Sequence, residues 1–150
     1  MSEQTVISPF QILDWRILSF NCTNSMLRIP EDAAHHWTIK AHIDNLESTE
    51  DQLNAVVYIE FHFSLEYGGR ENTMEGVSVT ACEMKKESIP NAEELFNSLL
   101  ARTAMTNSLA NLRVFLMQAG MLHQMGPKRV MLPFINLNNF KFDEEIKFTV

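Results

Sequence analysis

Cysteine is nearly absent from this chain of 150 residues: only Cys22 and Cys82 occur, and neither stands in a metal-type or redox-type spacing. They read as reduced, part-buried thiols of a cytoplasmic protein. Positive charge is also scarce. Twelve Lys and Arg against nineteen Asp and Glu give a formal net charge of −7, which repels a phosphate backbone and favours neutral or basic partners. Nucleic acid is therefore not expected as a partner. Long apolar runs are missing too: no window approaches the roughly 18 consecutive apolar residues of a membrane span, and the opening "MSEQTVISPF" has no basic region before an apolar stretch. Neither membrane insertion nor a secretion leader is expected. At 45% hydrophobic residues, a chain of this length folded as one domain buries roughly 70% of the surface it exposes when unfolded. One domain over residues 1–150 follows.

The usual signatures of chemistry are lacking as well. There is no GxSxG or HExxH, and Gly68-Gly69 opens a hairpin instead of following a strand as a phosphate loop. His35 and His36 are adjacent and would point to opposite sides of an extended chain, while His42 and His62 fall on polar strand faces. The acidic pair Glu93-Glu94 suits a helix start, and Asp143-Glu144-Glu145 suits a solvated terminus. The expectation is a protein without catalytic residues, metal or cofactor.

What is present is a strong period of two, followed by a helical one. From Ala55 to Tyr67 every odd position is apolar, with Glu60, His62, Ser64 and Glu66 between, which predicts a strand with one dry face. "TMEGVSVTACEM" follows across Gly68-Gly69, with Val77, Val79 and Ala81 alternating with Ser78, Thr80 and Cys82, so the two runs form a hairpin. "WTIKAHID" repeats the pattern with Trp37, Ile39, Ala41 and Ile43. In "FQILDWRILSFNC" the parity changes between Ile17 and Leu18, which predicts a bulge in a long, bent first strand. After Met84 the spacing becomes helical: Asn91 is placed to cap, Leu95, Leu99 and Leu100 share a stripe, then Leu109, Leu112, Leu116 and Ala119 with a second stripe of Phe115 and Leu122. Gly126-Pro127 is the expected stop. The predicted class is α+β, a four-stranded antiparallel sheet with a long helix packed on one face.

Two features carry a functional reading. Of nine methionines, five (Met105, Met117, Met121, Met125 and Met131) crowd the helix and its exit, where flexible side chains either fill core gaps or adapt to varied partners. Apolar stripes on two sides of one helix are what a helix between its own sheet and another subunit shows. The helix is followed by "KRVMLPFINLNNFKF", an almost uncharged apolar segment in which Pro133 prevents further helix and Asn136, Asn138 and Asn139 suit irregular backbone.

Three stretches resemble the SecB family of bacterial export chaperones. "FQILDWRILSFN" is similar to that family's opening strand, "VVYIEFHFSLEYGG" to its third strand, and "NLRVFL" with "MLPFINLNNF" to its helix and exit segment, over about residues 10 to 140. The resemblance implies dimers pairing through their sheets, tetramers closing through their helices, and capture of unfolded or nascent polypeptides in apolar grooves without nucleotide. By position it offers Met26, Leu27, Ile29, Phe134, Ile135, Leu137 and Phe140 as groove candidates, and Leu109, Leu112 and Leu116 as candidates for the oligomer interface. Groove wall and core cover fit the first set equally. Where the family carries an Asp and a Glu that dock the SecA motor, this chain has Arg16 and Asn21. Gly76 and Ser78 stand where an apolar and an acidic residue are expected. The reversed charge opposes that docking, which leaves SecA an open partner. The other reading is a non-export interaction protein on the same fold that binds one specific partner.

Overall fold

A computed structural model describes residues 7–26 and 28–150. Leu27, one of the groove candidates, lies outside the described residues. The alternation in Gln52–Tyr67 (β3) turns Leu53, Ala55, Val57, Ile59, Phe61, Phe63 and Leu65 to one side, where all are buried. Each large side chain so buried stabilises the fold by about 1.5–3 kcal/mol. Two neighbours pair with β3 in antiparallel register, Ala34–Ser48 (β2) on one flank and Arg70–Lys85 (β4) on the other. Phe10–Asn24 (β1) continues the sheet beyond β4. The sheet has five strands, not the four expected, in the order β1-β4-β3-β2-β5, because Glu145–Thr149 (β5) pairs with His36–Lys40 of β2. Phe148 of β5 stacks on Trp37 at 6.2 Å between ring centroids.

The bulge expected in β1 is present between Ile17 and Ser19, and a second lies between Ile12 and Asp14. Their extra residues, Leu13 and Leu18, are exposed, while Ile12, Trp15, Ile17, Phe20 and Cys22 pack against the core. Leu13 and Leu18 therefore do not share the core parity that the sequence pattern gave them. In β4 the smaller and more polar set is the buried one: Ser78, Thr80 and Cys82 face inward, and Val77, Val79 and Ala81 are half-buried on the open face. Helix packing supplies the reason. Thr80 Oγ1 lies 2.5 Å from Ser108 Oγ, and Ser108 Oγ donates to the Ala104 carbonyl at 2.6 Å, so small side chains let the helix approach β4. Burial raises the Cys82 thiol to about 11. Thr80→Val keeps the shape and removes the hydroxyl, and is expected to cost about 1 kcal/mol, read as a lower denaturation midpoint at constant slope.

The helix consists of Ala92–Leu99 (α1), a π-helical turn Leu100–Ala104, and Met105–Leu122 (α2). Its buried residues include Phe96, Leu100, Ala104, Ser108, Leu112 and Leu116, successive fours. An α-helix has 3.6 residues per turn, so a stripe spaced by four drifts around the axis, and the wider π turn offsets part of that drift. That turn also resets the stripe expected from the sequence: Leu95 and Leu122 are exposed, and Leu99 is half-buried. Asn91 stands at the cap position but in the left-handed region, φ 52°, and its side chain makes no cap bond. Leu112 and Leu116 are fully buried within the single chain and Leu109 is half-buried.

Candidate polypeptide-binding groove

The helix ends at Leu122, before the expected Gly126-Pro127. Gln124 takes the left-handed conformation (φ 51°), and the Met125 amide closes back on the Gly120 carbonyl at 2.9 Å. This is the geometry by which a helix C-terminus satisfies its last carbonyls. The carbonyls beyond it are taken by two asparagines. Asn24 Nδ2, at the end of β1, donates to the carbonyls of His123 (3.0 Å) and Gln124 (3.3 Å). Asn72, fully buried at the start of β4, donates Nδ2 to the Met125 carbonyl at 3.3 Å. Its Oδ1 accepts from the amides of Ser25 (2.8 Å) and Met26 (3.1 Å). One carboxamide thus ties the helix exit to the start of the long β1–β2 connection.

Met26 is carried inward by this clamp and is only 6% exposed. Met26 lines two open clefts. One, of about 510 Å³, is lined by Asn24, Ser25, Met26, Ile29, Gln124, Gly126 and Pro127. The other, of about 450 Å³, is lined by Met26, Arg28, Tyr67, Gly68 and Arg70, where the hairpin tip rises beside the connection. Tyr67 and Arg70 are opposed across the Gly68-Gly69 turn, whose positive φ values of 60° and 77° make it the tight form that closes a two-residue hairpin. Both clefts are lined by Met26, and together they make up the Met26 groove. The charged side chains that line the clefts are two arginines, Arg28 and Arg70, both in the second.

The remaining groove candidates lie elsewhere. In the exit segment Val130 and Leu132 are buried, Val130 occupying the space that a side chain on Gly120 would need. Arg113 holds the segment twice, donating Nε to the Leu132 carbonyl at 2.6 Å and stacking its guanidinium 3.6 Å from the Phe134 ring centre. Phe134 is nevertheless 92% exposed, while Ile135, Leu137 and Phe140 are half-buried against the core. Asn136 Oδ1 accepts from the Asn138 amide and caps the short 3-10 turn Leu137–Asn139. The structure brings Met26 and Ile29 together at the helix exit and keeps Phe134, Ile135, Leu137 and Phe140 in a separate strap. Arg28, Tyr67, Arg70 and Asn72 belong to the groove without having been singled out by sequence. Among the histidines, His42 stacks on Tyr58 at 4.9 Å, and His36 and His62 lie 3.6 and 3.8 Å from Glu66 and Glu75.

The architecture has a match among solved structures. The SecB-like chaperone Rv1957 of Mycobacterium tuberculosis, solved in complex with a ChAD peptide from the Rv1956 HigA1 antitoxin, superposes with a TM-score of 0.64 at 17% identity, covering 85% of this chain and 92% of that one. The fold is SecB-like. A protein of unknown function from Streptococcus agalactiae matches at a TM-score of 0.49 and 11% identity, covering 83% of this chain and 97% of that one. No family profile matches the sequence, and no curated protein does. Among the described residues, no helix is long and apolar enough to cross a membrane.

Proposed function

We propose that this chain is an ATP-independent, cytoplasmic polypeptide-binding protein that holds extended segments of unfolded or nascent chains in the Met26 groove. The observation that supports this reading is a nearly buried methionine that lines two open clefts, beside connections that a buried asparagine ties together. An extended chain is suited to such a site because apolar side chains find a soft, adaptable floor without needing one shape. The reading requires no cofactor, no catalysis and no SecA. Suppression of aggregation of a chemically denatured test protein, at stoichiometric concentration and without ATP, is the expected result. Unchanged aggregation at several-fold excess removes the proposal.

Self-association is part of the reading. Among the described residues, nothing pairs with the outer edge of β1, a long strand with Leu13 and Leu18 exposed on it, and an open edge favours pairing with a second strand. A homodimer through β1, or a tetramer built from two such dimers, is the expected assembly, measured as mass in solution.

A second reading has its own support, since the neighbour Rv1957 is in complex with a peptide from one antitoxin. On that reading the groove serves one dedicated protein partner. Affinity capture yielding a single stoichiometric protein favours this alternative, and a broad spread of captured chains favours the holdase.

A further inference from the structure

The overall charge of −7 suggests a preference for neutral or basic chains, yet the groove is charged the other way. Two arginines, Arg28 and Arg70, stand over the Met26 floor beside Tyr67, whose ring is about half exposed. Among the described residues neither arginine forms an ion pair. The carboxylates nearest to Arg70 in sequence are engaged on the opposite side of the sheet. Glu66 pairs with His36 and Glu71 accepts from Ser64, and successive side chains of a strand alternate between faces. The Met26 side of the hairpin tip therefore carries guanidinium donors beside an aromatic ring and an apolar pit.

From this we infer that the Met26 groove selects acidic segments, those in which Asp or Glu flanks an aromatic or aliphatic residue. The inference rests on the polypeptide-binding reading above and assigns its partner class. The apolar residue occupies the space over Met26, and the flanking carboxylates meet Arg28 and Arg70, whose planar guanidinium groups suit paired carboxylate oxygens. Specificity then comes from local charge opposed to the field of the whole molecule. That field slows the approach of every acidic chain, so only those with an apolar residue to anchor over Met26 are retained.

The test uses two fluorescein-labelled peptides, Gly-Asp-Phe-Leu-Asp-Phe-Gly and the same peptide with Lys for Asp, titrated with the full chain at low salt. The acidic peptide is expected to bind on the order of tenfold tighter, with the advantage shrinking towards about 1 M salt, where screening acts within a few ångströms. In the Arg28→Glu/Arg70→Glu double variant the preference is expected to reverse, with an unchanged thermal midpoint confirming that the exposed substitutions left the fold intact. Equal binding of both peptides overturns the charge selection while leaving polypeptide binding in place. Tighter binding of the Lys peptide, or an acidic preference that survives the double substitution, also overturns it. Binding of neither peptide removes both proposals.

Discussion

Gly76→Ala is expected to destabilise the chain by about 3 kcal/mol or more, at the level of a severe core defect, and to free β1 from the sheet. In an ordinary strand position the same change would be favourable, since glycine costs roughly 0.5–1 kcal/mol relative to alanine. Here the sign reverses because of what lies above the residue. The bulge between Ile17 and Ser19 pushes the β1 backbone towards β4, and a Cβ on Gly76 would overlap the Ser19 carbonyl oxygen and come within 3.0 Å of Phe61 Cζ. The obstacle is backbone, so rotation of a side chain cannot relieve it, and the strands must part locally with loss of their shared hydrogen bonds. The expected signature is a lower denaturation midpoint together with faster amide exchange along Phe10–Asn24, where the parent chain is protected by pairing with β4. Unchanged exchange in β1 with parental stability would contradict the placement of the bulge. The glycine at this point, where the SecB resemblance leads one to expect an apolar residue, is thus required by the geometry of β1.

Legibility in the sequence followed the range of the interactions involved. β3 could be read directly, since its alternation over Ala55–Tyr67 is a property of the strand itself, and the β3–β4 hairpin followed from Gly68-Gly69. The parity change at Ile17-Leu18 revealed one bulge of β1 but not the other, because Leu13 happens to share the parity of Trp15 and Ile17 and masks the shift between Ile12 and Asp14. β5 was not legible: Ile146 and Phe148 are only two half-buried positions, and what makes the segment a strand is the edge of β2, more than a hundred residues earlier in the chain. The π turn left no local signal either, because a stripe in steps of four tells nothing about where its drift is corrected.

The groove divides in the same way. Met26 and Ile29 could be suspected as apolar residues in a long connection, and the exit strap from its composition. The structure answers what composition left open for that strap, burying Val130 and Leu132 and exposing Met131 and Phe134. Arg28, Tyr67 and Arg70 read as ordinary loop and turn residues until the fold sets the hairpin tip beside the first connection.

Asn72→Leu is expected to cost about 3 kcal/mol and to weaken the groove more than the sheet. Leucine keeps the branched shape of asparagine and adds bulk, so no cavity opens at this fully buried position, and the lost hydrogen bonds of the carboxamide are joined by some overpacking. The Ser25 amide and the Met125 carbonyl, 47 and 53 residues away in the chain, lose their partner, while the Met26 amide, 46 residues away, keeps only its 3.3 Å bond to Asn24 Oδ1. Leaving a buried backbone group without a partner costs about 1–3 kcal/mol, and partial access of water to Ser25 keeps the sum near the lower end. Asn72→Asp separates the two halves of the clamp, since a carboxylate still accepts from Ser25 and Met26 but offers no donor to the Met125 carbonyl, and its buried charge is unpaired. It is expected to be at least as destabilising as the leucine. Peptide binding provides the decisive readout: with Met26 no longer drawn inward, affinity for an apolar peptide is expected to fall at temperatures where circular dichroism still shows an intact sheet. A variant that keeps parental affinity while losing stability would place Asn72 in the scaffold alone and detach the groove from the clamp.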